Sequence, residues 1–526
     1  MKNTKTLGVM IDMSRNAVMS IDGLKRFLPL LRKMGYNTVM LYTEDTYEVD
    51  DEPYFGYMRG RYTKKQMKEI DCYAESLGIS IIPCIQTLAH LNGVFRWGKY
   101  PKDWDDILMI DDDRTYQLID NMFKTLSECF KSRKIHVGMD EAYMVGRGNY
   151  LGKHGYTPSN ELMHKHIKRV RELAGTYGYE IMLWSDMFYK SLENGEYEGK
   201  LPDSVIPVYW DYYHDDEKHY ENFLNKHKLL SDEVWFAGGV WGWSGLIPFN
   251  KYSLYTMIPA IKACHKTKTK NIIFTLWGDD GAECSHFTQL PALFYLAENV
   301  KGNFDEQKIK TKFKRSFGID FDEFINIDCP NEIFPYDNNL ANPSKYMLYS
   351  DYFNDFFDNT VSLGDGKIYK KYSTELLKTA KKSRKYGYVF NTASKLCDIL
   401  SVKYEISLKT RQAYEKGDKL ELKRLALEDY SKLPKLIKTF ATAFKTQWFL
   451  DNKPHGFDIQ EQRLGALLYR TESCKKRILD YVNGKIDKID ELEEKLLPFG
   501  EKGKPIYFNK ALTASTVNIP SHNFVG

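Results

Sequence analysis

Asp140 and Glu141 stand side by side at the end of a short apolar run, Ile135-His136-Val137-Gly138-Met139-Asp140-Glu141-Ala142. Two carboxylates that close repel, which raises the pKa of one and can leave one ionised and one protonated, the pair that general acid work requires. If the run is a strand, His136, Gly138 and Asp140 share one face while Val137 and Met139 take the other. Glu141 can join Asp140 in one cleft only if the strand ends at about this point and the chain turns, and the loop Gly146-Arg147-Gly148-Asn149 permits that. The competing reading is an exposed acidic pair that caps the next helix.

The elements that must carry this pair recur with one period. Leu7 to Met13 reads as a strand, and Ser20 then opens a segment with Leu24, Phe27, Leu28 and Leu31 at helical spacing. Thr38 to Tyr42 repeats the strand, and Thr63 with Gln66 forms a capping-box start for a helix carrying Met67, Ile70 and Leu77. Ile79 to Ile85 is the third strand. The acidic triplet Asp111-Asp112-Asp113 then starts a helix, and lacks the glycine and closing glutamate of a calcium loop. Ile135 to Asp140 is the fourth strand, a helix spans about Glu161 to Tyr177, and four more strands follow at Glu180 to Trp184, Val205 to Trp210, Val234 to Val240 and Asn271 to Trp277. Near-continuous apolar strands alternating with amphipathic helices suit a parallel sheet buried on both faces, and the eightfold count predicts closure into a (β/α)8 TIM barrel.

Active sites of such barrels form at the C-terminal ends of the strands. Those ends carry Arg15, Asp45, His90, Asp140 with Glu141, Trp184, Trp210 with Asp211, Trp241 and Trp277. One mouth lined by carboxylates, an arginine, a histidine and several indoles is what a sugar pocket requires. Taken singly, each tryptophan reads as rim packing, His90 as a hydrogen-bonded loop residue, and Asp279 with Asp280 as a cap on the following turn.

At 526 residues the chain exceeds one ordinary core. We expect the barrel over residues 1–335 and an α-helical C-terminal domain over 336–526, where Lys/Glu-rich segments with apolar residues at helical spacing replace the strands. The tail after Gly503 lacks periodicity. Lys+Arg 75 against Asp+Glu 71 gives a net charge of +4, so nothing points to nucleic acid, and the run Lys381-Lys382-Ser383-Arg384-Lys385 reads as a solvated helix face. The aromatic content of 14% supplies stacking faces for sugars as well as core bulk. Eight scattered cysteines form no C-x-x-C or Cys/His cluster, so neither zinc nor a disulfide framework is expected, and reduced thiols in a cytoplasmic protein fit best. The apolar run before Asp12 is too brief for a signal peptide, and no stretch is long enough for a bilayer. There is no G-x-S-x-G elbow, since Gly242-Trp243-Ser244-Gly245 breaks that spacing, and neither a P-loop nor a dinucleotide fingerprint.

With these residues in view, His136-x-Gly138-x-Asp140-Glu141 resembles the H-x-G-x-D-E signature of family 20 glycoside hydrolases, the β-N-acetylhexosaminidases. The likeness runs through Arg15, Asp45, His90, Trp184, Trp210 and Trp277 and covers about residues 5 to 300, leaving the helical region outside it. It implies that Arg15 grips hydroxyls of a terminal sugar, that the tryptophans, Trp241 among them, wall the acetamide and the ring, and that Asp279 or Glu283 holds the O4/O6 side. Tyr209-Trp210-Asp211 stands where the family carries Tyr-x-Asp. The family's Trp-x-Glu after the eighth strand is stretched here to Trp277 and Glu283, and because the first strand begins almost at Met1 we expect a compact, intracellular branch without the α/β domain that many relatives carry before the barrel.

The resemblance further implies an exo-acting, retaining enzyme without metal or cofactor, in which the 2-acetamido oxygen of the substrate attacks C1. Asp140 would orient the acetamide and Glu141 would serve as acid and then base. The partner is a glycan ending in N-acetylglucosamine or N-acetylgalactosamine, and a homodimer is allowed but not required. Two rivals stay open: a glycosidase with an enzymic carboxylate nucleophile, and a glycan-binding barrel without turnover.

Overall fold

The computed structural model describes residues 4–188, 201–202, 205–243, 245–279, 281–334 and 340–506; Ser244, Asp280 and the tail beyond 506 lie outside the described residues. Eight parallel strands close into a barrel: β1 (Thr6–Asp12), β2 (Thr38–Thr43), β3 (Ser80–Ile85), β4 (Lys134–His136), β5 (Glu180–Trp184), β6 (Val205–Trp210), β7 (Trp235–Gly239) and β8 (Asn271–Leu276). Each strand pairs with its neighbours in sequence, and β1 closes the ring by pairing with β8 as well as β2, with Val9 opposite both Phe274 and Val39.

Strand alternation sorts the side chains into two buried layers. Met10, Met40, Tyr42, Ile82, Cys84, Met182, Trp184, Ile206, Val208, Trp235, Ala237 and Ile273 fill the barrel. Val9, Ile11, Val39, Leu41, Ile81, Ile181 and Ile272 point outward onto the helices. Full burial of such a side chain stabilises by about 1.5–3 kcal/mol, so both layers select strand residues and the strands read as continuous apolar runs. Helix starts follow their local chemistry. Ser20 accepts from the Gly23 amide at the start of helix Ile21–Met34, Thr63 and Gln66 form the reciprocal capping box of helix Lys64–Ser76, and Asp112 caps helix Asp113–Cys129.

β4 is shorter than its apolar run predicts. It ends at His136, and Gly138, Met139 and Glu141 all take positive φ, at 74°, 74° and 52°. The signature is therefore a tight turn above the strand.

After the barrel the described chain is helical, dominated by Gly366–Lys382, Gly387–Glu415, Ser431–Asp451 and Phe457–Val482. This part is keyed into the barrel. Met19 bridges to Asn452, the Lys453 amide donates to the Val18 carbonyl at 2.7 Å, and buried Asp451 accepts from Ser285 and Tyr388 at 2.6 and 2.9 Å. All eight cysteines are unpaired thiols, and only Cys72 is exposed. No described helix is long and apolar enough to cross a membrane.

Candidate active site

The turn after β4 is held from below by Gln86. Its Nε2 donates to Asp140 Oδ1 at 2.7 Å and to the Tyr42 hydroxyl at 2.9 Å, while its Oε1 accepts from the Met139 amide at 3.1 Å. A Cβ on Gly138 would lie 1.9 Å from Gln86 Oε1, so both the close approach and the positive φ require glycine there. The other Asp140 oxygen lies 3.3 Å from His90 Nε2, and the same nitrogen is 3.7 Å from Glu141 Oε2.

Burial opposes charge on Asp140, but the His90 imidazolium and the Gln86 hydrogen bond outweigh it and hold this carboxyl below the usual range. Burial likewise opposes charge on His90, yet the field of Asp140 raises its pKa to about 10. Asp140 is thus a fixed anion beside a fixed cation. Glu141 differs from its neighbour, because 44% of its side chain is open to solvent at the mouth of the pocket.

Across the mouth, Arg15 is gripped by three carboxylates: Asp12 at 3.2 Å, Glu44 at 3.4 Å and Asp279 at 3.1 Å. Asp12 also accepts the Gly278 amide at 2.9 Å, tying the ends of β1 and β8 together. Burial pushes Glu44 up to about 7, and the Arg15 charge only partly offsets it. Between the two charged sides lies a pocket of about 520 Å³ out to its mouth, walled by Tyr42, Trp184, Trp210, Tyr212, Tyr213, Trp243 and Trp277. Trp277 meets Tyr42 edge-on at 4.8 Å and donates to the Tyr212 hydroxyl at 3.0 Å, and Trp210 stacks on Tyr212 at 5.3 Å. Trp184 lies on His136 at 4.3 Å, and burial drives that imidazole down to about 3, hence neutral.

The pocket brings together Arg15, His90, Asp140, Glu141, Trp184, Trp210, Trp277 and Asp279 of the residues singled out in the sequence. Five others stand elsewhere. Asp45 falls on the outward face of the β2 register and pairs with Arg59 at 3.3 Å, while its neighbour Glu44 reaches Arg15. Tyr209 is outward for the same reason and stacks on His227 at 4.6 Å. Asp211 accepts the Tyr209 hydroxyl at 2.9 Å and faces a separate cavity with His214 and His219. Trp241 is fully buried behind Trp243, which stacks on it at 3.8 Å and takes its place on the wall. Glu283 is buried away from the pocket, with Gln460 at 3.0 Å, Arg463 at 2.7 Å and Lys345 at 3.0 Å.

Asp211, His214 and His219 bring a carboxylate oxygen and two ring nitrogens within 4.8 Å of one another, a donor set that some divalent metals use. The two rings stack at 3.6 Å and 14°. Both nitrogens face one Asp211 oxygen, at 2.8 and 3.0 Å.

Sequence reasoning missed Gln86, Glu44, Tyr42, Tyr212, Trp243 and Asp186. Asp186 accepts the Glu141 amide at 3.0 Å and the Trp210 indole at 3.3 Å, and burial beside Asp140 pushes it up to about 7. Parity was the available signal: Glu44, Gln86 and Asp186 each lie two residues beyond an inward Tyr42, Cys84 or Trp184.

Two family models match the chain: "Glycosyl hydrolase family 20, catalytic domain" over residues 7–231 and "Glycoside Hydrolase 20C C-terminal domain" over residues 322–508. The second corrects the expectation that the likeness stops at the barrel. Hexosaminidase D of Homo sapiens is 23% identical over 338 residues, covering 58% of this chain and 68% of its own length. Beta-hexosaminidase 3 of Arabidopsis thaliana is 29% identical over 140 residues, 24% of this chain and 25% of its own length. Among solved structures, an exo beta-N-acetylglucosaminidase from Vibrio harveyi with N-acetylglucosamine is similar at a TM-score of 0.48 and 15% identity, over 61% of this chain and 58% of that one.

Proposed function

The chain belongs to glycosyl hydrolase family 20, and from that membership and the pocket we propose that it is an exo-acting, retaining β-N-acetylhexosaminidase that works by substrate assistance. The observation that carries this reading is the unequal treatment of the two acids. Asp140 is clamped on both oxygens by His90 and Gln86, while Glu141 sits at the open mouth.

A clamped, ionised Asp140 suits a stationary charge. It receives the acetamide N–H of the terminal sugar, turns the acetamide oxygen toward C1 and stabilises the positive oxazolinium that results. Glu141 protonates the departing glycosidic oxygen and then takes a proton from the water that opens the oxazolinium on the same face, so configuration is retained. The rival with an enzymic nucleophile needs a carboxylate able to approach C1. Asp140 is tethered, and Asp279, the remaining carboxylate on the described pocket wall, is engaged with Arg15. The indoles stack the sugar and acetamide, and the Arg15 cluster takes the hydroxyls of a single terminal residue.

The test is product analysis on chitooligosaccharides together with a chromogenic aryl N-acetyl-β-glucosaminide. Release of N-acetylglucosamine alone from the non-reducing end, with colour from the aryl glycoside, is expected. Internal oligomers without monosaccharide would overturn exo action, and no hydrolysis of either substrate would overturn the enzymic reading in favour of glycan binding.

A further inference from the structure

Glu283 follows β8, where an acidic residue could have reached a sugar hydroxyl, yet 1% of its side chain is exposed and both oxygens are spent inward. One oxygen takes Arg463 at 2.7 Å and Gln460 at 3.0 Å, both on helix Phe457–Val482, and the other meets Lys345 at 3.0 Å. Burial opposes its ionisation, but Lys345 and Arg463 overcome that and hold it below the usual carboxylate range. Lys345 has no exposed side-chain surface, and the Arg463 guanidinium lies 3.8 Å over the Tyr349 ring. Glu283 thus faces two cations of the C-terminal region, one fully buried and one nearly so.

This charge sits at one end of a tight turn. The Gly281 and Ala282 amides both donate to the Gly278 carbonyl, at 2.9 and 2.7 Å, and the Gly278 amide is pinned to Asp12. Within the turn, Asp279 reaches Arg15 Nη2 at 3.1 Å. The residue after Arg15 packs closely against the start of the same helix, since a Cβ on Gly456, just ahead of Phe457, would lie 2.1 Å from the Asn16 carbonyl oxygen. The Arg15 loop, the Asp279 turn and the start of helix Phe457–Val482 form one packed unit.

We propose that Glu283 is a positioning residue through which the C-terminal helical region sets the Asp279–Arg15 pair, and with it the grip on the hydroxyls of the terminal sugar. Glu283 does not touch substrate; it fixes the turn that does. The inference rests on the hexosaminidase reading and assigns the helical region a part in discriminating sugars that differ at a hydroxyl.

The experiment compares wild type, Glu283→Gln and Gln460→Met on two aryl 2-acetamido-2-deoxy-β-glycosides that differ only in the configuration at C4. Folded fraction is measured for each by near-UV circular dichroism. Glu283→Gln is expected to raise KM about tenfold or more on at least one sugar and to change the ratio of the two kcat/KM values at least threefold. Gln460→Met removes one hydrogen bond to the carboxylate and leaves both cations in place, so it should move both in the same direction by less, and it carries the test if Glu283→Gln fails to fold. A merely structural role would lower kcat in proportion to the folded fraction and leave KM and the ratio at wild-type values, and that result overturns the proposal. Wild type inactive on both sugars overturns the functional reading, and this inference with it.

Discussion

Asp140 meets His90 on one oxygen and Gln86 on the other, whereas Glu141 stands at the pocket mouth, so the two acids should answer differently to substitution. Glu141→Gln should slow a natural disaccharide by roughly 10²- to 10⁴-fold, the worth of a positioned acid, and an activated aryl glycoside far less. On the proposed mechanism Asp140→Asn should weaken stabilisation of the oxazolinium whatever the leaving group, so both substrates should slow alike, on the order of 10²-fold or more. Measuring kcat/KM on both substrates isolates the bond-breaking step, and the opposite pattern would reverse the roles. The His90–Asp140 pair also carries a pH signature. The His90 pKa rises from 6.5 to about 10 on folding, so its stabilising contribution is complete below pH 6.5 and lost as pH climbs through 10. The stability advantage of wild type over His90→Gln in urea should therefore shrink by a few kcal/mol, at about 1.4 kcal/mol per pKa unit, between those limits. An advantage that stays constant would mean that His90 is not held as a cation.

The short β4 and its turn explain what could be read at the level of elements and what could not. Seven strands end within about one residue of the bounds that apolar runs predict, because burial on both faces selects those residues directly. β4 stops early because Gly138, Met139 and Glu141 take left-handed backbone, braced by Gln86 just past β3 and by Asp186 just past β5, contacts invisible in a local pattern. Gly138→Ala tests this. It should cost about 1–3 kcal/mol from backbone strain and push Gln86 off Asp140, so that kcat falls more steeply than the melting temperature would explain. Calorimetry and kinetics on the same sample check it. Register explains the other displacements: Asp45 and Tyr209 lie one residue from an inward position, and one step along a strand moves a side chain to the opposite face. Trp241 followed the correct parity, but Trp243 folds back over it.

At the scale of the whole molecule, the eightfold repeat made the barrel legible, and the change to helical spacing made the C-terminal region legible as helices. How the two join was not. Arg463 lies 180 positions from Glu283, and no spacing rule links an acidic residue after β8 to a cation on a distant helix. The same holds for Asp451, which joins Ser285 and Tyr388 across the molecule. The barrel mouth offers a chamber with a clamped anion, an acid at its opening and indole walls, and in the proposed mechanism the substrate supplies the nucleophile. The most direct measurement compares kcat/KM for a matched pair of aryl β-glucosides, one with a 2-acetamido group and one with a 2-hydroxyl. If the substrate supplies the nucleophile, the acetamido sugar is hydrolysed and the hydroxyl sugar is nearly inert, by a factor on the order of 10³ or more, since well-oriented intramolecular attack reaches effective molarities of about 10⁵–10⁸ M. Comparable hydrolysis of both sugars would contradict it and place the nucleophile on the protein.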